Sequence, residues 1–389
     1  MRRLGVLGGT FDPVHDGHMA LCREAIRHFA LDGAVLLPLG RPAEWEAQAS
    51  PQDRLAMCRL AAAGEEGVAV SQSGMGGGVR HITDALGPLR REYPDSRFFL
   101  ILGADELQGL PHWHEKDKLF AQCDFLCFPR QGIAAQEAME KTRAAGARVE
   151  LLKMEAVPPS AGMIRERTAA YQDAPGLNRR VLCYMAERGL YQTDWLPRLK
   201  TMMNPRRFQH TLGVRREAVR LADIHGASIQ RAALAGLLHD CAKGMSVREM
   251  DRIARDMHLI DDENMYGSGA MLHGPVGAYL AKTQFGVRDE EILNAIRGHT
   301  IGRVGMTKLE LVIFVADATE EGREDYEGLR QIRFLADRSL PAAALKSMET
   351  TQQYLRRTGR PFFPAVYRTI AYLESVLTED ERTLLASAK

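Results

Sequence analysis

The pattern of apolar residues changes near residue 195, and that change limits the fold more than any other feature of the chain. Before it, short apolar runs alternate with segments of helical spacing. The runs are LGVLG (4–8), GAVLLPLG (33–40), VAVSQSG, SRFFLILGAD and CDFLCFPR. Between them lie HMALCREAIRHFA, SPQDRLAMCRLAAAG (50–64, opening on Ser-Pro and stopping at glycine) and HITDALGPLRREYP. Strand alternating with helix predicts an α/β domain with a doubly wound parallel sheet, whose ligand sites lie at the carboxyl ends of its strands. Beyond 195 the strand signals stop. HTLGVRREAVRLADIHG, IQRAALAGLLHDCAKG, HGPVGAYLAKTQFG, DEEILNAIRGHT and KLELVIFVADATEEG carry only the helical period, so an all-α domain is expected to follow. Two domains are the default for 389 residues, and the boundary is placed where GLYQTDWLP closes the first, giving 1–195 and 196–389.

Bulk properties exclude several classes of function. The chain is 45% apolar and 26% charged, with a net charge of +1, so it has core material but no electrostatic footprint for nucleic acid or a membrane surface. Its six cysteines are scattered; Cys123 and Cys127 have no second pair to complete a zinc site, and reduced thiols of a cytoplasmic protein are expected. The apolar run after Arg2 and Arg3 is too short for a signal peptide, and no run approaches the ~20 residues of a membrane span. Small molecules are therefore the expected partners, with association into a homo-oligomer left open.

The stretch GGTFDPVHDGH follows the first strand and opens the first helix. Its glycines let the backbone turn tightly and approach a ligand, and the amides at the helix start face an anion. His15 and His18, three apart, share a face. As hydrogen-bonding or protonated imidazoles they would hold a phosphate and offset charge growing on it during transfer. No G-x-G-x-x-G and no Gly-Lys-Ser/Thr is present, so neither the dinucleotide fingerprint nor a P-loop applies.

This stretch, with its His15-Asp16-Gly17-His18, resembles the signature of the HxGH nucleotidyltransferases. REYPDSRFFLILGADELQGLPHWHEKDKL (91–119), FLCFPRQG (125–132) and VLCYMAERGLY (181–191) narrow the resemblance to nicotinate-nucleotide adenylyltransferases, over about residues 3–192. The resemblance implies adenylyl transfer from ATP, with Mg2+, to nicotinate mononucleotide, a step of NAD biosynthesis. It implies His15 and His18 as the catalytic contacts to ATP phosphates, and Gly8, Gly9, Thr10 and Phe11 lining the nucleotide site. Asp105 falls in the adenosine-side pocket, Trp113 beside the pyridine ring, and Arg130, Ser160 and Arg165 among the nucleotide-binding residues. Three departures stand out. The segment GRPAEWEA (40–47) lacks the lysine of the family's Pro-Pro-His-Lys, Ile82 stands near the usual threonine, and Ala161 and Gly162 replace two hydroxyl residues in PSAGMIR.

In the second half, His210, His239, Asp240, His273, His299 and Asp317 mostly sit at the ends of apolar helical segments, where side chains from separate helices can converge. Imidazole and carboxylate are ligands for Mn, Fe, Co or Zn, and a bridging Asp favours two adjacent ions. The order H…HD…D resembles the HD phosphohydrolases. RFQHTLGV, ALAGLLHDCAKG, LHGPVGAYLAKTQFGVRDEEILNAIRGHTIG and KLELVIFVADATEEGRE narrow it to the YqeK type, the symmetrical diadenosine-tetraphosphate hydrolases. The resemblance implies that His210, His239, Asp240 and Asp317 hold a core metal and that His273 and His299 complete a second site, with one or two divalent ions of iron, manganese or cobalt. It also implies Asp240 and Lys243 as catalytic, with Lys243 one helical turn beyond the His-Asp pair, and Arg303 on a substrate phosphate. Glu320 and Arg323 of the family's tail are retained, without its Tyr and Pro.

The leading expectation is a bifunctional enzyme that handles ATP, nicotinate mononucleotide and diadenosine polyphosphates. A hydrolase whose first domain has become a nucleotide sensor, and a non-enzymatic nucleotide-binding scaffold, remain as alternatives.

Overall fold

The structure is a computed structural model and describes residues 1–40, 46–79, 81–113, 115–130, 132–153, 160–360 and 363–388. The chain divides into two compact units, residues 1–168 with 174–184, and 169–173 with 185–389.

The first unit is built on six parallel strands: β1 (Arg2–Gly9), β2 (Gly33–Pro38), β3 (Val68–Val70), β4 (Ser96–Gly103), β5 (Cys123–Phe128) and β6 (Val149–Leu151). They lie in the order β3-β2-β1-β4-β5-β6. The connecting helices are α1 (Asp16–Phe29), α2 (Pro51–Ala62), α3 (Ile82–Glu92), α4 (Ala104–Gly109), α5 (Lys116–Gln122) and α6 (Ala135–Ala144), followed by α7 (Ala161–Ala169); α8 (Arg179–Arg188) begins in this unit and ends in the second. The doubly wound sheet is as the alternation predicts. β2 and β5 are buried at every position, the mark of a strand covered on both faces. β3 and β6 have three residues each, and only β3 was expected. Ser50 caps α2 by accepting from the Asp53 amide at 3.1 Å, as the Ser-Pro start implies.

The strand order reverses direction between β1 and β4, which are paired from Arg2↔Ser96 to Val6↔Leu100. In such sheets the crevice at this switch point is where ligands bind. Its wall is braced by Arg54 of α2, which is only 1% exposed. Its guanidinium donates to Thr10 O (2.6 Å), Leu39 O (2.7 Å), Gly40 O (2.7 Å) and Ala49 O (3.3 Å). One side chain thus satisfies four carbonyls of the loops that leave β1 and β2.

The second unit contains α9 (Leu196–Met202), α10 (Pro205–His225), α11 (Ile229–Leu238), α12 (Val247–Asp256), α13 (Gly269–Gln284), α14 (Glu290–Gly298), α15 (Lys308–Thr319), α16 (Leu329–Ala336), α17 (Leu340–Arg357), α18 (Pro364–Val376) and α19 (Glu379–Ser387). Among its described residues there is no strand. α10 packs on α11 and α15, and α14 on α11, α13 and α15, so five helices meet in one region. The approach of α13 to α14 needs glycine: a Cβ on Gly274 would lie 2.6 Å from Arg297 O. Caps set the starts of α10 and α11, where Asn204 and Ser228 accept from the amides of Arg207 and Arg231. No described helix is long and apolar enough to cross a membrane.

Replacing Arg54 with Met leaves buried carbonyls without donors, each a loss of about 1–3 kcal/mol. The Arg54→Met chain should show a lowered first calorimetric transition with the second unit's transition in place.

Candidate active sites

The first site begins where β1 ends. After Gly8, Gly9 and Thr10, Phe11 takes a left-handed φ of 51° and the Asp12–Pro13 peptide is cis. The Asp12 carboxylate ties the turn down by accepting from the amides of Gln48 (2.8 Å) and Ala49 (3.0 Å). Its carbonyl accepts from Arg165 Nη1 at 2.6 Å, so Arg165 of α7 is drawn to the same loop.

His15 is the residue before α1, and its amide donates to His18 Nδ1 at 3.1 Å. The two rings stand 3.8 Å apart, and Phe11 meets the His18 ring edge-on at 5.0 Å. With Nδ1 accepting, a neutral His18 carries its proton on Nε2. Burial, and then the charge of Arg130, push the pKa of His15 down to about 4. Burial, His15 and Arg130 hold His18 well below the usual imidazole range. The pair is therefore neutral near pH 7. Of the two forms the sequence allows, the hydrogen-bonding imidazole applies and the protonated one does not, because desolvation disfavours the charge.

Arg130 follows β5 and Asp105 follows β4, with Arg130 Nε 3.5 Å from Asp105 Oδ1 and its guanidinium 4.8 Å from the Phe128 ring centre. Asp105 stands in the first turn of α4, where Gly103 is the residue before the helix. Trp113 is half-buried, packed against the sheet's core and close to Gly109. Ser160 accepts from the Met163 amide at 3.2 Å and so starts α7, with Ala161 and Gly162 in its first turn. Gly8 and Gly9 thus close β1, and Thr10, Phe11, His15, His18, Asp105 and Arg130 follow the carboxyl ends of neighbouring strands. Residues 41–45, which hold most of the segment without a lysine, and Pro159 lie outside the described residues.

The second site is organised by one carboxylate. Asp240, 2% exposed, follows His239 at the end of α11. Its Oδ2 faces His239 Nε2 at 3.5 Å and His210 Nε2 of α10 at 3.9 Å. Its Oδ1 faces His273 Nε2 of α13 at 3.4 Å and His299 Nε2 at the end of α14 at 3.6 Å. Asp317 of α15 places Oδ1 2.9 Å from His210 Nε2 and 3.8 Å from His239 Nε2. All six residues singled out in the sequence converge, and each oxygen of Asp240 serves a different imidazole pair.

These groups suit cations. Each ring turns Nε2 inward because Nδ1 is occupied: His239 donates to Gly236 O (2.7 Å), His299 to Ile296 O (2.7 Å), His273 to Gly269 O (3.0 Å) and His210 to Glu320 Oε1 (3.1 Å). Metal-ligating histidines are oriented in this way. The Nε2 atoms of His210 and His239 are buried and have no hydrogen-bond partner, although carboxylate oxygens stand nearby. Burial lowers the pKa of His239 to about 4 and that of His273 to about 3, leaving lone pairs free to coordinate. Burial also disfavours a proton on His210, but Asp317 and Glu320 outweigh it and raise its pKa, so this corner favours a positive charge. Asp240 and Asp317 stay ionised: burial opposes their charge, while His239 and His210 respectively lead the groups that stabilise it.

Sequence reasoning missed two supports and gave a third, Glu320, no role. Arg207 Nη1 lies 2.7 Å from Asp240 Oδ2, and Thr300 Oγ1 lies 3.1 Å from His273 Nε2. Glu320, 3% exposed, reaches His210 across Gly213, where a Cβ would sit 2.2 Å from its Oε2. One expectation changes. Lys243 lies in the turn after α11 rather than on a helix, with Nζ 3.2 Å from the His273 ring nitrogens. Arg303 makes a two-point ion pair with buried Glu310 (2.6 and 2.8 Å).

Residues 6–167 match the cytidylyltransferase-like family and residues 207–322 the HD domain. A symmetrical bis(5'-nucleosyl)-tetraphosphatase of Bacillus subtilis is 40% identical over 181 residues, covering 46% of this chain and 94% of that protein. A probable nicotinate-nucleotide adenylyltransferase of Bordetella avium is 36% identical over 200 residues, covering 49% of this chain and 99% of that protein. The chain belongs to both families, one in each half. A Mycoplasma genitalium protein described as a probable nicotinate-nucleotide adenylyltransferase/Ap4A hydrolase is 29% identical over 362 residues, 91% of this chain and 99% of that protein. Membership of the HD family carries divalent-metal binding with it, in accord with two groups whose ligand atoms lie within 4.8 Å of one another: His210, His239 and Asp317, and His239, Asp240 and His299.

Two outcomes follow. Because the folded-state pKa of His15 lies below its unfolded value, the unfolded chain binds more protons, and stability is lost as pH falls from about 6.5 toward 4. The loss attributable to His15 is about 2 kcal/mol at pH 5, and the difference in stability between pH 7 and pH 5 should shrink in His15→Gln. Asp240→Ala should lose all bound divalent metal, whereas His273→Ala should retain part of it, as read by elemental analysis of the purified chains.

Proposed function

We propose that the chain joins ATP to nicotinate mononucleotide in its first half, releasing pyrophosphate, and hydrolyses diadenosine tetraphosphate to two ADP in its second. The observation that carries the hydrolytic half is Asp240, shared between two pairs of inward-facing imidazoles. The transferase half is supported by a neutral histidine pair at the start of α1, beside the sheet's switch point. We assign the two roles to domains 1–195 and 196–389, acting in the cytoplasm.

In the transferase, magnesium accompanies ATP. His18 offers Nε2–H, and His15 and the α1 amides sit beside it. Together they hold the phosphates and stabilise charge as the bond to pyrophosphate lengthens, while nicotinate mononucleotide attacks the α-phosphorus. Arg130 and Asp105, 3.5 Å apart, would take the nucleotide side, and Trp113, packed against the sheet's core, would take the pyridine.

In the hydrolase, His210, His239, Asp240 and Asp317 would hold one divalent ion, and Asp240, His273 and His299 a second. Iron, manganese or cobalt bound there would polarise the phosphate and activate water. Glu320 and the backbone carbonyls keep the imidazoles in the ligating tautomer, and Lys243, whose pKa burial lowers, stands at the His273 side to meet a phosphate oxygen. Water attacking one of the two inner phosphorus atoms breaks its bond to the central bridging oxygen, so that one ADP gains the water oxygen and the other leaves with the bridging oxygen.

A second reading, a hydrolase with a nucleotide-sensing first half, is favoured by Ala161 and Gly162 in the first turn of α7, where the resembled family carries hydroxyl residues. The purified chain and two variants decide the matter. His18→Ala should lose at least about 100-fold in dinucleotide synthesis and keep hydrolysis, while Asp240→Ala does the reverse. A wild-type chain that makes no dinucleotide from ATP and nicotinate mononucleotide would establish the sensor reading instead.

A further inference from the structure

Two guanidiniums occupy the carboxylate oxygens that a cation between His210 and His239 would need. Arg207, in the first turn of α10, places Nη1 2.7 Å from Asp240 Oδ2. Arg323, past the end of α15, places Nη2 2.5 Å from Asp317 Oδ1 while its Nε donates to Asp317 O at 2.7 Å. These are the same oxygens that face His210 Nε2, at 3.9 and 2.9 Å. Two carboxylates side by side with little solvent need counter-charge, and here the chain supplies it. An arriving divalent ion brings that charge itself and repels both guanidiniums from the oxygens it takes.

The displaced arginines have somewhere to go. Each side chain is 34% exposed, and both line a cleft of about 1020 Å3 that also receives His210, Arg216 and Tyr326. Of the other arginines on the cleft, Arg206 is paired with Glu324 at 2.5 Å and Arg216 adds one more cation, while Glu321 and Asp325 lie on the same wall. Guanidinium released from Asp240 and Asp317 changes that balance, and its planar fork matches phosphate oxygens. A cleft of this size accommodates a nucleoside diphosphate, which is one half of a symmetrically cleaved substrate.

We propose that Arg207 and Arg323 are exchangeable counter-ions: they hold Asp240 and Asp317 until the metal arrives, then turn to the phosphates of the nucleotide in the cleft. Metal and polyphosphate therefore bind with positive coupling, each tightening the other. The identity of the phosphate ligand rests on the hydrolase reading; the competition with metal does not.

The test uses the metal-stripped full chain titrated with Mn2+ alone, followed by hydrolysis of diadenosine tetraphosphate at saturating Mn2+. Arg207→Met and Arg323→Met should each bind Mn2+ about three- to tenfold more tightly, while the KM for hydrolysis rises about tenfold. Arg207→Lys, which keeps the charge but not the fork, should bind Mn2+ much as the wild type does and still show the raised KM. Melting of the metal-free variants reports folding, and each Met variant should be less stable without metal and regain stability with it. Mn2+ affinity that is unchanged or weakened in both Met variants would overturn the exchange. Tighter Mn2+ binding with an unchanged KM would overturn the phosphate role. If the wild type cleaves no diadenosine tetraphosphate while the Met variants bind Mn2+ more tightly, the substrate assignment falls and the exchange stands.

Discussion

Asp240 cannot be isolated where it lies. A buried carboxylate costs far more than a fold can spare unless positive charge or hydrogen-bond donors surround it. The second unit answers with a guanidinium from the start of α10 and a His210 corner that favours positive charge, while the other inward-turned Nε2 lone pairs suit a cation. The packing of α10, α11, α13, α14 and α15 can be understood from this requirement. Each helix contributes an apolar face to the core and delivers one polar end to the cluster. The small residues that permit this, Gly274 between α13 and α14 and Gly213 beneath Glu320, stand where a methyl group would force apart elements that must touch.

The first unit solves a different problem. Its ligand is an anion, so the site is built from donors: amides at a helix start, neutral imidazole N–H and one arginine whose charge helps to keep the imidazoles neutral. Precision comes from behind. Arg54 and Asp12 consume the polar groups of the loops after β1 and β2, leaving the loop little freedom to move away from its position over the strand ends. Two sites of opposite electrostatic demand thus occur in one chain whose net charge is near zero, and bulk composition shows neither.

Much of both sites was legible because the residues involved are chemically conspicuous. Paired histidines after a glycine turn, or His-Asp closing an apolar helix, have few ordinary reasons to exist. The supports were not legible, because their partners are distant in the chain: Arg207 meets Asp240 33 residues on, and Glu320 meets His210 across 110. Arginine and glutamate are common on surfaces, so nothing in their own spelling marks these two as buried work. The pairing of Arg303 with Glu310, seven residues along, was equally unmarked in the sequence. β6, three residues with a glutamate at its centre, has no apolar run to mark it.

The sequence by itself determined the two architectures, the strand-turn-helix that presents an anion site, and the identity of six groups able to ligate metal. Those follow from local periodicity and from side-chain chemistry, which neighbours in the chain suffice to express. Tertiary structure alone decided which oxygen of Asp240 serves which imidazole pair, the tautomer of each ring, the neutrality of His15 and His18, and the placing of Arg207 and Arg323 on the ligand oxygens. Each of these depends on distances of a few ångströms between segments far apart in the chain, and on the loss of water around them, neither of which exists until the helices and strands have packed.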